Sequence, residues 1–92
     1  MVLTLKGQLS AESAIPWFLH RGRLLNLVGW MNRLDAHTIT MVLWGEPDLL
    51  DAMEVACSLG PGEVMVDDLV RAKHDFENTP TTFEFIQSPI DA

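Results

Sequence analysis

A chain of 92 residues has room for one domain and not for two, because so short a polypeptide buries only a modest share of its surface. Apolar residues make up 48% and charged residues 21%, a globular balance in which one layer pair forms the core without metal or disulfide. Thirteen acidic against six basic side chains leave a net charge of −7, which repels phosphate backbones and anionic membrane surfaces and excludes nucleic acid as a partner.

The single cysteine, Cys57, cannot close an internal bridge, and the chain does not start with a basic and then apolar leader; a reducing cytoplasm is the expected location. Apolar stretches such as residues 41–44 fall far short of the ~20 residues that cross a bilayer.

Residues 2–9 alternate apolar Val, Leu and Leu with Thr and Lys before Gly7, which predicts a first strand with one buried face. Residues 10–13 are polar and suit a loop and helix cap, and Pro16 fits a first helical turn, where its missing N–H costs nothing. The helix is predicted over 14–25, with Ala14, Phe18, Gly22 and Leu25 on one side. A mid-helix glycine costs ~1 kcal/mol relative to alanine, so Gly22 implies close approach to something flat. Asn26 ends the helix at a position suited to the left-handed conformation.

A second strand follows over 28–34 and a third over 37–44, where residues 38–43 are rich in β-branched and large apolar groups. Asp35 is the turn residue between them. Asp48 is placed as the cap of a second helix, Asp51 favours its N-terminal end, and Leu49, Leu50, Met53, Ala56 and Cys57 recur at helical spacing until Gly60-Pro61 stops it. A fourth strand is predicted over 64–70, with Val64, Val66 and either Leu69 or Val70 inward. A fifth is predicted over 82–86 after the polar loop 77–81, and 87–92 reads as a tail. The expected fold class is α+β: a single domain over 1–92, a ferredoxin-like β-α-β-β-α-β sandwich with an extra strand and two helices on one face of an antiparallel sheet.

The junction Leu25-Asn26-Leu27-Val28-Gly29-Trp30, the pair Gly60-Pro61 followed by Val64, Val66 and Leu69, and Gly45 between third strand and second helix together resemble the acylphosphatase family from Gly7 to about Leu69. Gly22 falls where that family has an alanine packed on the sheet. The resemblance implies acyl-phosphate hydrolysis, carried by a glycine-rich loop ending in a phosphate-holding arginine and by an asparagine that positions the attacking water. Such a site works through convergent donors, a fixed cation and an oriented nucleophile.

In register, that loop reads Gly7-Gln8-Leu9-Ser10-Ala11-Glu12-Ser13-Ala14-Ile15, so Ile15 stands in the arginine position and Ala11 in that of an inner glycine. Glu12 adds a carboxylate where a dianion would be received, and like charges at contact oppose binding by on the order of one to several kcal/mol. Downstream, Arg33 stands where the resemblance implies asparagine, and Asn32 precedes it. Strand alternation sends Asn32 and Arg33 to opposite faces. Arg33, or Arg21 and Arg23 on the first helix, is a candidate relocated cation. The candidate anion or ligand loop is therefore Gln8, Ser10, Glu12, Ser13, Ile15 and Arg33.

The remaining chemistry-bearing residues read as structural. His20, His37 and His74 share no metal-ligand spacing, so neither metal nor cofactor is implied. Cys57 on an apolar stripe is a core residue. Glu63 with Asp67 and Asp68 is a solvated edge, since neighbouring strand residues point apart. Trp17 either lines a groove beside the loop or packs over the sheet end, and Trp30 and Trp44 complete a large aromatic allotment. Asp67, Asp68, Asp75, Glu77 and Glu84 form a solvated surface or a docking patch.

The expected function is a non-catalytic acylphosphatase-like module acting through a protein partner or as a homodimer, with a small phosphate ligand not expected. The alternatives are an acylphosphatase with a rewired phosphate site and a small-metabolite sensor.

Overall fold

A computed structural model describes residues 1–86; the expected tail lies outside the described residues. The strands are β1 (Val2–Gln8), β2 (Val28–Asp35), β3 (Thr38–Trp44), β4 (Met65–Ala72) and β5 (Phe83–Phe85), and the helices are α1 (Ala14–Leu24) and α2 (Pro47–Leu59). The order β-α-β-β-α-β with an added strand is as expected. The sheet order is β4-β1-β3-β2-β5. Four strands pair antiparallel, whereas β5 pairs parallel to β2, so the sheet is mixed.

Registry divides the side chains between two faces. Leu3 and Leu5 of β1 stand opposite Met41 and Ile39 of β3, and these stand opposite Met31 and Arg33 of β2. The apolar members of this set are buried with Phe18 of α1 and Met53 and Cys57 of α2, the packing that period-2 strands and period-3.6 helices dictate.

Two helix ends follow local chemistry. Asn26 adopts φ 57 after α1, and Gly60 caps α2 with φ 65. The start of α2 differs from expectation: Glu46 is the N-cap, Pro47 takes the first helical position and Asp48 lies in the first turn. Proline's preset φ and missing N–H suit that position, which moves the boundary ahead of Asp48. Ser13 precedes α1 without a side-chain cap bond.

The β1–β4 pairing contains a bulge: Lys6 stands opposite Asp68 and Gly7 opposite Val66, leaving Asp67 as the extra residue. A Cβ on Gly7 would overlap the Met65 carbonyl oxygen, so only glycine admits this approach. The bulge breaks alternation, corrects the reading that Asp67 and Asp68 point apart, and leaves both exposed between half-buried Val66 and Leu69. It also selects Leu69 over Val70, which is exposed.

Gly22 meets the flat surface expected of it. A Cβ there would lie 2.5 Å from Phe83 Cδ2 and overlap Cε2, so the β5 ring occupies the space a side chain would fill.

Candidate functional site

The loop between β1 and α1 is held at three points. At its start, the Gly7 and Leu9 amides donate to the His37 and Ala36 carbonyls, continuing β1 onto the β2–β3 turn. That turn is formed by Asp35, whose Oδ1 accepts from the His37 amide at 2.8 Å, the bond that chiefly lowers the Asp35 carboxyl below its ordinary value. In the middle, Arg33 Nη2 donates to the Leu9 carbonyl at 2.8 Å. At its end, Ser13 Oγ donates to Glu63 Oε1 at 3.0 Å, tying the loop to the turn after α2.

Among the described residues, Ser13 and Arg33 are the candidate loop residues engaged there by side chain. Ile15 is partly buried and packs on the hydrophobic core, while Gln8, Ser10 and Glu12 are exposed. Arg33 shares the helix-facing side of β2 with Met31, and Asn32 lies on the opposite side opposite Thr40. Alternation thus separates the two as expected. Both carry an unmet group: Arg33 Nε and Asn32 Oδ1 are buried with no partner among the described residues.

The other two candidate cations point elsewhere. Arg21 lies over the Trp17 ring, 5.3 Å from its centroid, and Trp17 meets Phe18 edge-on. Arg23 reaches β5, donating to the Phe83 carbonyl at 3.0 Å and pairing with Glu84 at 2.9 Å. Among the described residues, Arg33 is the guanidinium bonded to the loop, and Glu12 within it and Glu63 on Ser13 bring carboxylates to it. Two surface recesses, one lined by Arg23 and Glu84 and the other by Leu50 and Lys73, both lie outside it.

Glu63 as a wall of this region was not legible from its neighbours. The available signal was topological: α2 runs back toward the loop, and Gly60-Pro61-Gly62 turns the chain beside it. A second feature also escaped sequence reasoning. The segment after β4 crosses the sheet face that the helices leave open, and there Trp30, Trp44, His74 and Phe76 form one aromatic cluster. Trp44 and His74 centroids lie 4.4 Å apart, and Trp30 and Phe76 5.2 Å. The equal parity of Trp30 and Trp44 on paired strands could have placed those two on one face.

Cys57 is buried in the core with Sγ 3.9 Å from Met41 Sδ, and burial, then the charge of Glu54, pushes its thiol up to about 12. It is no nucleophile at neutral pH. His20 is exposed, His37 sits at the β2–β3 turn and His74 in the aromatic cluster; among the described residues, no three His, Cys, Asp or Glu side chains come together as a metal site. Among the described residues, no helix is long and apolar enough to cross a membrane.

Sheet order, helix placement and bulged edge define an α+β sandwich of the ferredoxin-like class. No family model and no curated protein matches the sequence. Among solved structures, the chain is similar to an acylphosphatase from Bacillus subtilis, with a TM-score of 0.82 and 15% identity over 92% of this chain and 94% of that one. It is also similar to an acylphosphatase from Coxiella burnetii, with a TM-score of 0.85 and 19% identity over 92% of this chain and 88% of that one. By fold, this is an acylphosphatase-like domain.

Proposed function

We propose that this domain acts through binding and does not hydrolyse acyl phosphates. The observation that carries the reading is the fate of two positions. Ile15, where the resemblance implies a phosphate-holding arginine, packs on the core, and Arg33, where it implies a water-positioning asparagine, donates to the Leu9 carbonyl.

The electrostatics support the same reading. A dianion beside this loop would meet Glu12 and Glu63 as well as Arg33, and the guanidinium is already partly committed to a backbone acceptor. Loss of a fixed cation and of a water-orienting amide, each worth ~3 kcal/mol by analogy with one oxyanion donor, lowers the rate ~10⁴-fold together.

The test is release of inorganic phosphate from benzoyl phosphate, measured beside the variant Ile15→Arg, Arg33→Asn and Glu12→Val. The natural chain is expected at the uncatalysed rate and the variant above it. Turnover by the natural chain at the rate of an authentic acylphosphatase would refute the proposal.

One observation favours a second reading, a rewired phosphate site: Arg33 does reach the loop, and its Nε has no acceptor. Heat on titration with millimolar phosphate, abolished by Arg33→Met, would select this reading over the first.

A further inference from the structure

The larger of the two surface recesses, about 470 Å³, lies where β1 begins, α2 begins and β4 ends. Its apolar lining is aliphatic, from Met1, Pro47 and Leu50 with Ala72 at the edge, and its charged lining is Arg71 and Lys73. Register puts Arg71 opposite Leu3, on the side of the sheet that faces the helices. Among the described residues, no acid lines the recess. Its volume falls within the roughly 300–1,000 Å³ of small-molecule sites, and a mostly apolar wall with a few convergent polar groups is their usual make-up.

Charges in this corner do not cancel. In a chain with thirteen acidic and six basic side chains, two of the bases line one recess, and the Met1 amine joins them. That amine donates to the Leu43 carbonyl at 2.8 Å, and burial first, then the charge of Arg71, holds it below its ordinary value. Arg71 bonds Asp51 and Glu54 through Nη1, each at 2.7 Å, which leaves the Nε–Nη2 edge of its planar fork for another acceptor. Three cations thus stand against two acids, a surplus of one positive charge. Glu46, Asp48 and Asp75 are close in sequence but exposed, where water and salt weaken their field.

We propose that this recess binds a small organic carboxylate with an aliphatic body, its head at Lys73 and the open edge of Arg71 and its hydrocarbon against Met1, Pro47 and Leu50. A surplus of one charge selects a monoanion over a dianion. The parallel N–H pair of a guanidinium edge matches the two oxygens of a carboxylate. The lining offers a hydrocarbon chain apolar area without a ring on which an aromatic ligand would stack, and the flexible Met1 thioether fits irregular shapes.

This place is separate from the candidate loop. The loop leaves the far end of β1, about 20 Å along the strand, so the result of the hydrolysis assay leaves the inference standing either way.

Titration of the isotope-labelled chain with octanoate, followed by amide chemical shifts, tests it. Saturable shifts are expected at Leu50, Ala72 and Lys73 with a Kd below about 1 mM. Acetate, the same head without the chain, is expected to bind at least ~10-fold more weakly, since each methylene withdrawn from water is worth roughly fourfold in Kd. Octylamine, a similar chain with the opposite charge, is expected to be weaker by a similar factor. Lys73→Glu, at an exposed position checked for retained fold by circular dichroism, is expected to raise the octanoate Kd ~10-fold or more. Lys6→Glu makes the same charge change toward the far end of β1 and is expected to leave it within about twofold. Shifts that do not saturate, or that centre on the exposed Val55 and Leu59 instead, overturn the proposal. So does acetate or octylamine binding as tightly as octanoate, or an equal effect of the two lysine changes.

Discussion

Gly22 sets two physical effects of similar size against each other. Alanine in mid-helix is favoured over glycine by ~1 kcal/mol, so on local grounds Gly22→Ala should stabilise α1. The new Cβ would, however, lie 2.5 Å from Phe83 Cδ2, where ordinary contact needs at least 3.4 Å. Phe83 is buried and has little freedom to retreat, because the Gly29 amide bonds the Thr82 carbonyl at 2.9 Å and Arg23 Nε bonds that of Phe83 at 3.0 Å. Overpacking of this kind costs ~2–3 kcal/mol, which outweighs the propensity gain and leaves a net loss of ~1–2 kcal/mol. In a domain of this size that lowers Tm by about 4–16 °C. Urea unfolding followed by tryptophan fluorescence measures it. Repeating the substitution in a Phe83→Leu background isolates the ring, since without it Gly22→Ala should be neutral or stabilising. A Gly22→Ala chain as stable as the natural one, or equal losses in both backgrounds, would refute the reasoning.

Raising pH tests the burial of Cys57. Its folded pKa of about 12 exceeds the ordinary 9.0, so its contribution is fully present below pH 9 and is lost as pH rises toward 12, at ~1.4 kcal/mol per pH unit. The chain has no tyrosine to add a titration in that range, and Cys57→Ala should flatten this component of the pH–stability curve. For the loop, Arg33→Met leaves the Leu9 carbonyl without its donor and is expected to cost ~1 kcal/mol. Amide exchange at residues 10–14 should then quicken severalfold while exchange in β3 changes only by the global loss. Uniform change across both segments would show that Arg33 does not restrain the loop.

Much of the fold could be read along the chain because the deciding interactions act within a few residues. Apolar alternation before Gly7, Asn26 after a helical stretch and Gly60-Pro61 after another each impose a local conformation, and together they dictate the order β-α-β-β-α-β. Alternation alone separated Asn32 from Arg33, since the period of a strand is two wherever no bulge intervenes.

Where a bulge did intervene, local reasoning failed. Asp67 and Asp68 ended exposed together because β4 must accommodate the close approach of Gly7. Sequence reasoning left open which arginine would face the loop, since Arg21, Arg23 and Arg33 are equally cationic on paper. Their targets are distant in the chain: Leu9 lies 24 residues from Arg33, and Phe83 lies 60 from Arg23. The aromatic cluster of Trp30, Trp44, His74 and Phe76 is decided the same way. Local residue chemistry specified the elements and their order, while contacts between remote segments specified where the cations, carboxylates and exposed apolar faces came to rest, because only packing brings such segments within reach.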